Sequence, residues 1–137
     1  MKRVEKTIGR AAGLLGLVFV MACGGEAPKD EAPSGAIQSE LANLGQELFQ
    51  AKGCVACHTV GKGRLVGPDL AGVTERREYG WIVAMVTKPD SMLRHDTIAK
   101  QLLAEYYTPM TSQNVSAEDA RAIYEFLRRE PAPAPAP

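Results

Sequence analysis

The chain has 137 residues, 16 Lys plus Arg against 16 Asp plus Glu, 45% hydrophobic and 6% aromatic residues, and three cysteines. That length allows one small domain at most. Zero net charge, with no basic run after residue 10 beyond Arg76-Arg77 and Arg128-Arg129, excludes the concentrated basic face of a nucleic-acid binder, and three cysteines are too few for a disulfide framework.

Residues 1–22 open with Lys2, Arg3, Lys6 and Arg10 and run into twelve apolar or small residues, 11–22. A basic segment ahead of a short apolar run reads as an export signal, and the run is shorter than the ~20 residues of a bilayer-spanning helix. Val20-Met21-Ala22-Cys23 resembles the lipobox of bacterial lipoproteins, in which a small residue precedes a cysteine that is acylated and becomes the mature N-terminus. The resemblance implies lipidation at Cys23 and attachment to a bacterial membrane, each buried methylene adding roughly 0.8 kcal/mol. An ordinary signal peptide with Cys23 near its cut is the alternative. Loss of residues 1–22 removes four basic residues and one acid, leaving three net negative charges.

Residues 23–36 read as a lipid-anchored flexible tether: GGEAPKDEAPSGA after the cysteine holds turn formers and charges with no apolar period. At the other end, 131–137 form a Pro-Ala tail expected to be extended polyproline II. Residues 37–130 remain to fold. Ile37, Leu41, Leu44 and Leu48 recur at i, i+4, i+7 and i+11 and predict an amphipathic helix, with Phe49 widening its stripe and an end near Gly53. Residues 79–87 and 91–106 are further helical candidates, separated by Lys88-Pro89. Ser116 is an N-cap with Asp119 three residues on and Val115 ahead as a staple. The helix it opens continues through Ala120, Ile123, Phe126 and Leu127 to Arg128 and Arg129, which suit its C-terminal dipole. No alternating strand pattern appears, so the class is all-α, with four or so short helices. A core that thin commonly needs a metal, disulfide or cofactor to complete it.

Cys54-Val55-Ala56-Cys57-His58 is the Cys-x-x-Cys-His attachment signature for c-type haem. Residues three apart share a helical face, so both thiols can meet the two vinyl groups on one porphyrin edge while the next imidazole turns under the ring to iron. Two rivals use the same residue types. A zinc site needs about two further Cys or His ligands, yet only Cys23 and His95 remain. A thioredoxin-like pair needs a βαβ context, which the pattern lacks.

On these motifs, residues 41–129 resemble a small mono-haem cytochrome c with His and Met axial ligands. Gly45 and Phe49, with Ile123 and Phe126, resemble the crossing of that family's terminal helices. Gly67-Pro68-Asp69-Leu70 resembles its proximal loop, which implies that the Pro68 carbonyl accepts a hydrogen bond from the His58 imidazole. Met110, in Tyr106-Tyr107-Thr108-Pro109-Met110-Thr111 just ahead of Ser116, falls where the family's distal loop carries its methionine. Met85 reads as core, and Met92, His95 or an open position stay as alternatives for the distal ligand.

The resemblance implies a small cytochrome c fold around one haem c, covalent through Cys54 and Cys57, with His58 and Met110 on iron. It implies a single-electron carrier and not an enzyme, passing electrons between a respiratory membrane complex and a reductase or oxidase, at the periplasmic or outer face of a membrane. Donor and acceptor proteins are the partners, and no small-molecule substrate is expected. Two alternatives stand beside it: a haem sensor or peroxidase-like enzyme with a displaceable distal ligand, and a haem-containing subunit of a larger complex.

Overall fold

The structure, a computed structural model, describes residues 32–130. The export signal of 1–22, the lipidation at Cys23, the tether as far as residue 31 and the 131–137 tail lie outside the described residues. Six α-helices and one 3₁₀ turn make up the regular structure, with no β-strand among the described residues.

α1 (Ser39–Ala51) ends ahead of Gly53, whose left-handed φ of 74° delivers the chain into the 3₁₀ turn Cys54–Ala56. A one-turn α2 (Val73–Arg76) follows the loop, with no counterpart among the expected helices. α3 (Tyr79–Thr87) stops at Lys88, and Pro89 then begins α4 (Pro89–His95) at a position where its missing N–H costs nothing. The single helix expected over 91–106 is two. Asp96 leaves helical geometry and its carboxylate accepts the Ala99 N–H at 2.8 Å and the Trp81 indole N–H at 3.0 Å, capping α5 (Thr97–Tyr106). The cap supplies a partner for an N–H that every helix start leaves unpaired. α6 (Ala117–Arg129) begins as expected, with Ser116 Oγ accepting the Asp119 N–H at 3.0 Å and Val115 buried in the core.

The most extensive helix contact is that of α1 with α6. It closes on Gly45, where a Cβ would stand 1.9 Å from the Ala122 carbonyl oxygen, so only glycine lets the two backbones meet. Beside it the Phe49 and Phe126 rings pack at 5.5 Å between centroids, tilted by 53°, within a cluster that includes Ile123 and Leu127. A second cluster joins Tyr79, Ile82 and Tyr124, the two tyrosine rings meeting edge to face at 4.8 Å.

The face α1 buries is not the stripe of its large aliphatics. Ala42, Gly45 and Phe49 are buried, whereas Leu44 is 46% exposed, Leu48 packs only partly, and Ile37, expected in the same stripe, lies ahead of the helix and is 38% exposed. Close approach of α6 requires small side chains at the crossing, so steric fit rather than hydropathy chooses the inner face. α6 in turn buries a carboxylate. Glu125, fully buried, pairs with Arg128 at 2.9 and 3.2 Å and accepts the Gln38 N–H at 3.4 Å, while Arg128 also donates to the Gly35 carbonyl at 2.8 Å. The guanidinium neutralises a charge that would be costly alone, and together the pair fastens Gly35 and Gln38 to α6.

Gly45→Ala is expected to cost about 1–3 kcal/mol or more through overpacking against backbone. Leu44→Ala, on the exposed side of the same helix, should stay within about 0.5 kcal/mol. Denaturant unfolding of the two haem-loaded variants against the parent measures both.

Candidate haem site

All six helices contribute to a cavity of about 360 Å³, within the size range of small-molecule and cofactor sites. Its walls are mainly apolar, among them Phe49, Ile82, Leu102 and Leu127. Cys54, Cys57, His58, Pro68 and Met110, far apart in sequence, all line it.

Cys54 to His58 form one tight turn, in which the Cys57 and His58 N–H groups both donate to the Cys54 carbonyl, at 3.2 and 2.9 Å. The two thiols on that turn are free rather than joined in a disulfide. Burial pushes the Cys54 thiol up, its own backbone hydrogen bond lowers it, and the neighbouring Cys57 raises it again, so the thiol is held protonated.

His58 Nδ1 lies 2.9 Å from the Pro68 carbonyl oxygen. A carbonyl only accepts, so Nδ1 carries the proton and donates, which leaves the lone pair on Nε2 for a metal. Gly67 makes room for this ring: a Cβ there would stand 2.7 Å from His58 Cε1. The Gly67 N–H also donates to the Cys57 carbonyl at 2.8 Å, so the loop bearing Pro68 is stitched to the Cys-x-x-Cys-His turn.

Asp69, the next residue, organises the rest of this loop. Its carboxylate accepts from the Ala71 N–H at 2.8 Å, the Gly61 N–H at 2.9 Å, the Thr59 hydroxyl at 3.0 Å and the Gly63 N–H. Burial pushes the carboxyl up, but the Ala71, Gly61 and Gly63 N–H groups and the Thr59 hydroxyl outweigh it and hold the group at about 2. The Leu70 N–H adds a bond to the Thr59 carbonyl at 2.9 Å. Thr59 adjoins His58 and Asp69 adjoins Pro68, so these bonds clamp the imidazole and its acceptor together.

The distal candidates separate by position. Met110 is half-buried and lines the cavity. Met85, read as core, is half-buried and reaches the cavity from α3. His95 is exposed, with Nδ1 2.9 Å from the Ser91 carbonyl, and neither it nor Met92 is part of the cavity wall. Trp81 lines the cavity, but its N–H is engaged by Asp96 and Arg77 stacks over its ring at 5.4 Å. Among the described residues no three His, Cys, Asp or Glu side chains cluster as a metal site, so the Cys-x-x-Cys-His turn lacks the further ligands of a tetrahedral zinc site. Two free thiols, an imidazole with Nε2 available and an apolar cavity fit a covalently held porphyrin. Asp69 and Gly67 were not among the expected site residues. The signal for Asp69 lay in Gly61 and Gly63, whose N–H groups turn back on a residue eight and six positions ahead.

A small helical domain built around one such cavity is a mono-haem c-type cytochrome. Residues 42–130 match the Cytochrome c family, and the chain belongs to it. It is 36% identical over 89 residues to cytochrome c-551 of Pseudomonas denitrificans, covering 62% of this chain and 95% of that one. Cytochrome c from Rhodothermus marinus is similar in structure with a TM-score of 0.68 at 39% identity, over 72% of this chain and 84% of that chain. The cytochrome c domain of the pp3183 protein from Pseudomonas putida follows with a TM-score of 0.56 at 32% identity, over 63% and 86% of the two chains. The cofactor that comes with the family is one covalently bound c-type haem.

Because folding holds Asp69 below its ordinary value, the stability it contributes is complete above pH 3.8 and drains away as pH falls toward about 2. Asp69→Asn should lower stability at neutral pH and flatten the acid limb of the stability curve within that window, as thermal unfolding across the range will show. A variant curve running parallel to the parent's through the window would mean that the carboxylate does not hold this loop.

Proposed function

We propose that the chain is an extracytoplasmic single-electron carrier, anchored by lipid on Cys23 and passing electrons between a respiratory membrane complex and a reductase or oxidase. Membership of the Cytochrome c family supports an electron-carrier role. The observation that carries the reading is that His58 and Met110 line one cavity with the two thiols of the attachment turn.

In this reading Cys54 and Cys57 would hold the haem covalently through their sulfurs. His58 through Nε2 and Met110 through sulfur would hold the iron. A haem held there supplies a one-electron iron couple, with methionine raising its potential relative to a second histidine. The Pro68 carbonyl, 2.9 Å from Nδ1, fixes the imidazole tautomer and raises its basicity. The mainly apolar walls would give the group a surrounding of low polarity. With His58 and Met110 both holding iron, a substrate would reach it only by displacing one of them, which suits outer-sphere transfer.

Val55, Leu65 and Val66 are 48%, 49% and 41% exposed, on the attachment turn and the proximal loop. Small apolar surfaces of this kind suit the brief, low-area encounters of redox partners. The three net negative charges left after export make such encounters salt-sensitive. A donor and an acceptor protein are therefore the partners, with membrane contact through the acylated Cys23.

Met110→Ala is expected to abolish the far-red absorption of iron–methionine bonding in the oxidised protein, to lower the potential, and to open the reduced protein to carbon monoxide. Prompt carbon monoxide binding by the unsubstituted reduced protein at neutral pH would sink the carrier reading in favour of a sensor or peroxidase-like one. Cys23→Ser should move the exported protein from the membrane to the soluble fraction.

A further inference from the structure

The two sides of the cavity are held very differently. The His58 side is bonded at Pro68, Gly67 and Asp69. Among the described residues, no backbone N–H or carbonyl of residues 108–115, the stretch that carries Met110, takes part in a backbone–backbone hydrogen bond. That stretch is fastened at its ends. At its exit Val115 is buried in the core and Lys52 Nζ donates to the Asn114 carbonyl at 3.2 Å. At its entrance Tyr107 closes α5 in the left-handed conformation, φ 57°, and is 86% exposed.

One side chain reaches this entrance from the opposite arm. The Arg64 guanidinium lies 4.2 Å from the centroid of the Tyr106 ring, and its Nη2 donates to the Glu105 carbonyl at 3.2 Å, across 41 positions of sequence. Arg64 springs from a fixed backbone: the Gly63 N–H before it is held by Asp69, and the Leu65 N–H after it donates to the Gly67 carbonyl at 3.2 Å. Tyr106 itself lines the cavity. A guanidinium can lie on a ring face and donate along its edge at once, which an ammonium on a flexible stem does not reproduce.

We propose that Arg64 is a positioning residue that ties the end of α5 to the His58 loop and so governs how readily the sixth iron position opens. The proposal rests on Met110 as the distal ligand. Its contacts are with the Tyr106 ring and the Glu105 carbonyl, neither of them a candidate iron ligand. It fixes the point from which Thr108, Pro109 and Met110 depart, four residues ahead of the sulfur. Loosening that point widens the set of positions open to Met110 and favours states in which another ligand takes its place.

The test is a titration of the oxidised, haem-loaded protein with imidazole, which competes for the sixth position. Losing the stacking contact and its hydrogen bond should tighten imidazole binding by Arg64→Ala about tenfold. Arg64→Lys, which keeps the charge without the planar fork, should fall between that variant and the parent. Arg64 is exposed, so its variants remain folded for the titration, and unfolding of each holoprotein checks this. Equal affinity in Arg64→Ala and the parent overturns the proposal, as does full restoration by lysine, which would make charge alone responsible. Absence of the far-red iron–methionine absorption from the parent would overturn the Met110 assignment itself, a failure distinct from an unchanged affinity in a protein that shows the band.

Discussion

Everything in this domain is referred to the contact of α1 with α6 at Gly45, where a side chain of any size would collide with the Ala122 backbone. α1 runs through Gly53 into the attachment turn, and α6 is entered from the segment that carries Met110. Fixing the two helices against each other therefore fixes the roots of both arms of the site. Lys52 adds a tie at this junction, reaching the Asn114 carbonyl at 3.2 Å and Asp119 at 3.6 Å. The aromatic pair Phe49 and Phe126 seals the crossing, yet Phe49 also faces the cavity. The same side chains thus pack the protein and contain the cofactor, which is how so small a core closes around a haem.

The proximal loop reaches rigidity by another route. Residues 61–66 are exposed and belong to no helix, so apolar packing holds little of this loop. Its order comes from one carboxylate that gathers N–H groups on both sides of the turn, with Gly67 admitting the imidazole and the Pro68 carbonyl accepting its hydrogen bond. Hydrogen bonds are directional, and direction is what holding an imidazole in one orientation needs.

Much of this was legible where a function needs residues at short, fixed spacing. The Cys-x-x-Cys-His turn is such a case, because covalent attachment demands two thiols and an imidazole within five residues. The Ser116 cap is another, its bond to Asp119 N–H spanning three positions. What escaped depended on partners distant in sequence or on sterics that hydropathy does not encode. Asp96 reads as helix interior until Trp81, 15 residues earlier, is placed beside it. Leu44 reads as core until the backbone of α6 claims Gly45 instead. The burial of Glu125 makes sense only with Arg128 drawn over it and Gln38 brought from 87 residues away.

The unequal fastening of the two arms bears on what a haem protein of this size can do. The proximal arm is determined several times over, so loss of one bond leaves the imidazole guided by the others. The distal arm is determined at its ends, by a buried valine and a lysine on one side and by α5 with Arg64 on the other. A carrier gains from such an arrangement only while the distal ends stay put, since small movement at iron keeps the cost of changing oxidation state low. Under the Met110 assignment proposed above, the same arrangement places control of ligand exchange at the loop ends. Substitutions at exposed positions such as Arg64 are then expected to shift the balance between carrying electrons and admitting ligands without disturbing the core that Gly45 closes.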